Sequence, residues 1–186
     1  EKDDVMKLRQ HILTQIVDKV QKLTFSFNTN LNDYGALRDA LCARLTLFNG
    51  RRGNEPSSMK IGHFNDALSR RWVQRESLRS SEDAAFLEKF LITYIPGKGN
   101  RMVPVIIPQD AIDGLKLVVD VKRHMEVGVS ASNDYVFANT TLSSNHVLGW
   151  ACINNLANGA GVQQPNLLMA TKQRHRLSTQ FASLDL

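Results

Sequence analysis

Cysteine is nearly absent: Cys42 and Cys152 are the two in 186 residues. Both sit in apolar, helix-like contexts far apart in the chain, which excludes a disulfide framework and favours free core thiols in a reducing compartment. No apolar run approaches the roughly 18 residues that a membrane span needs, and no secretory signal is visible. There are no internal repeats, low-complexity segments or interior linkers. His11, His63, His124, His146 and His175 are scattered without ligand spacing, so no metal site is expected. No Walker loop or dinucleotide glycine pattern is present, so no cofactor is expected. Asn139-Thr140-Thr141 fits a glycosylation sequon that reads as accidental in an intracellular protein. The expectation is a soluble intracellular domain, nuclear if the source is eukaryotic. The chain starts without Met and stops at Leu186, which reads as a piece of something longer.

What is present is a core and a surplus of positive charge. With 42% hydrophobic residues the chain can bury one domain's core over 1–186. Lys and Arg exceed Asp and Glu by 23 to 18, giving a net charge of +5 and a pI near 9.4. That balance suits a polyanionic partner and equally an ordinary basic surface.

Periodicity predicts a mostly helical chain. A helix over 3–23 carries Val5, Leu8, Ile12, Ile16 and Val20 on one stripe, with Asp3 or Asp4 to cap it. A polar loop follows over 25–32, then a helix over 33–48 with Leu37, Leu41, Leu45 and Phe48, stopped by Asn49-Gly50. A short helical turn can start after Gly53 with Asn54 as cap and Pro56 in its first turn, and Phe64, Leu68 and Trp72 mark another helix with Arg70, Arg71, Arg75 and Arg79 on its other faces. Over 90–107 the period becomes two, giving a hairpin with PGKGN as its turn, and Pro104 confines the return strand to an edge or bulge. A helix is predicted from Asp110 to about Met125. A short buried segment spans 135–137, and Ser143 or Ser144 would cap a helix carrying Val147, Trp150, Ala151 and Leu156 that ends near Asn158-Gly159. A last helix begins near Thr171.

Three stretches carry the chemistry: LFNGRRGNE (47–55), YIPGKGNRMVPV (94–105) and TKQRHRLST (171–179). They offer Arg52, Lys98 and Arg174 on separate elements. Arginine holds a charge-fixed fork that matches two phosphate oxygens, and a lysine at a glycine-flanked tip can reach into a groove. Read alone, Arg51-Arg52 is also a solvated loop and GKGN a good solvated turn. Arg174 differs, because on a helix from 171 it shares a face with Leu177, Ser178 and Phe181, while Lys172, Arg176 and Gln180 lie on a polar face. An arginine on an apolar face needs a partner, either a phosphate near the helix start or a carboxylate such as Glu55.

In order, spacing and flanking letters, these stretches resemble the catalytic domain of tyrosine recombinases, the phage-integrase-like enzymes that break and rejoin DNA, in a wording like that of their eukaryotic, transposon-related branch. NG-R-R-G-N-E matches the family's TG-L-R-I-S-E phrase, GKGNRMVPV matches its GKG hairpin with Val-Pro, and the family's H-x-L-R-H phrase falls on 171–175. The resemblance spans nearly the whole chain and implies a mainly α, α+β fold with a small β-hairpin or sheet. It implies DNA strand breakage and rejoining, in site-specific recombination or integration, through a 3′-phosphotyrosyl intermediate without metal or cofactor. Arg52 and Arg174 would stabilise the phosphorane and Lys98 would protonate the leaving oxygen. Glu55, Thr171 and His175 would support them, and Arg51, Arg101, Lys172 and Arg176 would contact double-stranded DNA, on which copies would self-associate. Thr171 stands where the family has histidine. No tyrosine follows Arg174, and Tyr34, Tyr94 and Tyr135 lie at positions that do not match the nucleophile. The chain therefore reads as C-terminally incomplete, and a non-catalytic DNA-binding or interaction module derived from such an enzyme is the alternative.

Overall fold

Helix α2 (Leu31–Phe48) is the hub of the molecule. The computed structural model describes residues 2–52, 54–73, 85, 87–168 and 172. Around α2 pack α1 (Lys2–Phe25), α4 (Gln109–Val118) and α6 (Gly149–Gly159), with the end of α2 against strand β2 (Met102–Pro108). The apolar residues of α2 are spread around it, which is the pattern of a helix buried on most sides. Tyr34, Leu37, Ala40, Leu41, Cys42, Ala43 and Leu45 are all fully buried. Each of its leucines removed from water stabilises the fold by about 1.5–3 kcal/mol. Leu8, Ile12, Ile16 and Leu23 supply the matching stripe of α1.

The polar loop expected over 25–32 is shorter than predicted. Helix α1 runs to Phe25, and α2 already starts at Leu31 because the Asn30 side chain accepts from the backbone N–H of Asn32 and Asp33. Asp3 and Asp4 lie inside the first turn of α1 rather than ahead of it, and the Asp4 carboxylate instead accepts from the N–H groups of Gln163 and Gln164 at 3.1 and 3.2 Å. Helix α3 (Ile61–Leu68) ends before Trp72, since Ser69 closes it and Arg70 takes a left-handed backbone with φ 53°. Trp72 packs instead on Tyr94, ring centroids 5.1 Å apart. Arg75 and Arg79 lie outside the described residues.

The helix predicted from Asp110 to Met125 is two helices. Helix α4 stops at Val118, and Asp120 caps a new one, α5 (Val121–Glu126), by accepting from the Arg123 N–H at 3.0 Å. The carbonyl of Val118 freed by this break accepts from the Tyr34 hydroxyl at 2.9 Å and faces His124 Nε2 at 2.5 Å. Neither Ser143 nor Ser144 caps α6. Backbone bonds from Asn139 to Asn145 and from Val147 to Phe137 hold that stretch as a loop, and α6 begins only after Leu148. Val136 and Phe137 are fully buried, as the 135–137 segment predicts. Cys42 and Cys152 are free and buried, and they face each other between α2 and α6. The hydrogen bond to the Cys152 thiol, together with burial, pushes the Cys42 thiol well above its ordinary pKa. Asn139 is half-buried and donates its side-chain amide to the His146 carbonyl, which occupies the sequon nitrogen.

Strands β1 (Phe90–Pro96) and β2 form one antiparallel two-stranded sheet in the register Phe90↔Pro108 to Pro96↔Met102. The predicted alternation holds, with Leu91, Thr93 and Ile95 buried and Phe90, Ile92 and Tyr94 on the other face. Pro104 is on an edge strand, as its missing N–H requires.

Candidate nucleic-acid interface

The first wall of the site is made where α2 stops. Asn49 is its C-cap, Gly50 follows with φ 57°, and the N–H groups of Gly50 and Arg51 donate back to Leu47 and Thr46 at 3.2 Å each. This closing pattern requires a left-handed residue that glycine adopts without strain. It turns the chain sharply and delivers Arg51 and Arg52 together beyond the helix end. Arg52 Nη1 pairs with Glu55 Oε1 at 3.3 Å, and the Glu55 N–H donates to the Arg52 carbonyl at 2.9 Å. Arg52 is half exposed while Glu55 is 13% exposed, so the carboxylate acts as a fixed anchor and the guanidinium as its outward arm. The turn Pro56–Ser58 fixes Glu55 in turn, with Ser58 donating its hydroxyl to the Glu55 carbonyl at 2.8 Å.

The second wall is the tip of the hairpin. Gly97 N–H donates to the Arg101 carbonyl at 2.7 Å, and Lys98–Asn100 forms a single tight turn with Gly99 at φ 74°. Lys98 and Arg101 are exposed. Two contacts join the walls. The Asn49 amide pairs with the backbone of Ile106, and Arg51 Nη2 donates to the Pro104 carbonyl at 3.3 Å.

Between the walls lies an open groove of about 560 Å³ lined by Gly50, Arg51, Arg52, Glu55, Lys98, Gly99, Arg101 and Val103. Five of the residues singled out in the sequence thus meet there: Arg51, Arg52, Glu55, Lys98 and Arg101. Four cationic groups against one carboxylate that is already paired make it an anion-seeking surface. Lys172 is exposed and is not among the lining residues. Thr171, Arg174, His175 and Arg176 lie outside the described residues. Asn49 is the residue that sequence reading missed. Its Asn-Gly stop signal was visible, but its partner on a strand edge was not.

The three tyrosines are engaged elsewhere. Tyr34 is fully buried on the Val118 carbonyl, Tyr94 packs on Trp72, and Tyr135 packs on His146 with Lys60 Nζ over its ring at 5.6 Å. Among the described residues no three His, Cys, Asp or Glu side chains converge as a metal site, and no helix is long and apolar enough to cross a membrane.

No protein-family profile and no curated protein matches the sequence. Among solved structures the chain is similar to the XerH site-specific recombinase bound to difH substrate in a pre-cleavage complex. The TM-score is 0.51 and the identity 19%, over 88% of this chain and 39% of that one. The post-cleavage complex of XerH with palindromic difH substrate gives a TM-score of 0.48 at 18% identity, over 88% and 38%. The chain therefore spans well under half the length of that recombinase. Mostly helical among the described residues, with one two-stranded antiparallel sheet there, this chain has a fold like that of a tyrosine-recombinase catalytic domain.

Proposed function

We propose that this chain is the phosphate-holding part of a DNA strand-breaking and rejoining enzyme of the tyrosine-recombinase type, acting on double-stranded DNA. The observation that carries the reading is the groove that joins Arg51, Arg52 and Glu55 from the end of α2 to Lys98 and Arg101 from the hairpin tip. The recombinase-like fold supports it. In the reaction a tyrosine oxygen supplied from outside these 186 residues would attack phosphorus, forming a 3′-phosphotyrosyl bond, and the 5′ oxygen would leave with a proton from Lys98. Attack by a 5′ hydroxyl would reverse the sequence. Arg52, oriented by Glu55, and Arg174 would share the charge that grows on the non-bridging oxygens, where fixed donors stabilise most. Thr171 would add a hydrogen bond to phosphate in place of a histidine, and His175 would support Arg174. Arg51, Arg101, Lys172 and Arg176 would hold flanking phosphates. The wording of the NGRRGNE and GKGN stretches favours the transposon-related eukaryotic branch and so a nuclear site of action.

Duplex binding as a function of salt tests this. A log–log slope of about −0.9 per neutralised phosphate is expected, and an affinity that is flat with salt would refute it. The second reading, a DNA-binding module without catalysis, is favoured by the engagement of all three tyrosines in packing. A duplex with a 5′-bridging phosphorothiolate separates the two when a protein form that carries the matching tyrosine is used, because only the enzyme then traps a covalent protein–DNA adduct.

A further inference from the structure

The two walls of the groove belong to segments that are distant in the chain, and one side chain joins them. Asn49 Nδ2 donates to the Leu45 carbonyl and to the Ile106 carbonyl, both at 2.9 Å, and its Oδ1 accepts from the Ile106 N–H at 2.8 Å. Ile106 therefore turns both of its backbone groups away from β1, and the Asn49 amide gives them the two bonds that a neighbouring strand would give. Two residues on, Arg51 donates to the carbonyl of Pro104, two residues back along β2. Pro104 has no N–H, so one donor satisfies that position. Asn49 and Arg51 thus follow the free edge of β2 as a side-chain substitute for a third strand.

We propose that Asn49 is a positioning residue: it fixes the Lys98–Arg101 wall against the Arg51–Arg52 wall, so that both engage DNA phosphates as one rigid unit. The inference rests on the phosphate reading of the groove. A helix cap alone would need only the bond to Leu45. The paired bonds to Ile106 do nothing for α2 and instead hold the hairpin in place.

The test combines two readouts on N49A. In the first, duplex affinity is measured for R52A, K98A and the double variant, in the parent and in N49A. In the parent the double variant should lose several-fold less affinity than the product of the two single losses, because the walls act together. In N49A the losses should multiply. Coupling that persists unchanged in N49A overturns the proposal, whatever N49A does to stability. The second readout needs no DNA. The Ile106 amide should exchange at least about tenfold faster in N49A, while the Val105 and Ile107 amides, which face β1, keep their protection. Unchanged Ile106 exchange also overturns the proposal. If the parent binds no duplex, the phosphate reading fails and the exchange result still decides the pin. Should N49A not fold, N49S carries the same two measurements.

Discussion

Arg52 meets the groove with one guanidinium nitrogen already committed to Glu55, and the pair lies at the surface with Arg52 half exposed. Such a pair contributes little to stability, on the order of 0–1 kcal/mol. E55Q should therefore unfold within about 1 kcal/mol of the parent in urea, and a larger loss would mean that Glu55 supports the fold rather than the arginine. Tyr34 gives the opposite case. Its hydroxyl is buried on the Val118 carbonyl, but His124 Nε2 reaches the same oxygen, so Y34F leaves no acceptor unpaired. A loss of about 1 kcal/mol is expected by chemical denaturation, rather than the larger penalty of an orphaned buried group. Arg52, Glu55 and Lys98 stand out in the sequence through the order of their stretches and the family resemblance, since each stretch alone also reads as a solvated loop or turn, and the fold brings all three to one groove. Asn49 does not. Its role depends on Ile106, and nothing in a local pattern announces a partner on a distant strand edge.

At the scale of elements, what periodicity shows is where apolar faces lie, and what it hides is where the backbone turns. Helix α2 and the alternating β1 could be read directly, since buried stripes and period two are written in side chains. The starts and stops that were missed are set by single hydrogen bonds. Asn30 begins α2 two residues early, and N30A should cost about 1 kcal/mol of stability. Asp120 splits one predicted helix into α4 and α5. The same junction predicts a pH dependence. Burial holds the pKa of His124 below the ordinary 6.5, against the opposing pull of its bond to Val118 and of Asp120. Burial lowers His63 likewise. An unfolded chain thus takes up protons at a pH where the folded one does not, so this stability is complete above about 6.5 and is lost as pH falls below it. The thermal midpoint should drop between about pH 7 and pH 5.5, and H124Q, whose amide can still donate to Val118, should flatten that drop. An equal drop in H124Q would assign the effect elsewhere.

Across the whole molecule, the helical core fixes α2, and α2 delivers both walls of the groove: Arg51 and Arg52 through its glycine stop, Lys98 and Arg101 through Asn49 and β2. Four of the basic residues of the sequence thus gain a common location. Composition alone did not distinguish a phosphate-binding surface from a merely basic one, because net charge has no address until the fold supplies it. The third stretch, with Arg174, has its chemistry in the sequence and its position outside the described residues. R174A therefore belongs in the same comparison as the groove variants. The most direct measurement of the central claim is the salt dependence of duplex binding by the parent, R52A, K98A and R174A. Each variant should bind more weakly and lower the log–log slope by about 0.9. Folded R52A and K98A proteins that keep both the affinity and the slope of the parent would contradict it.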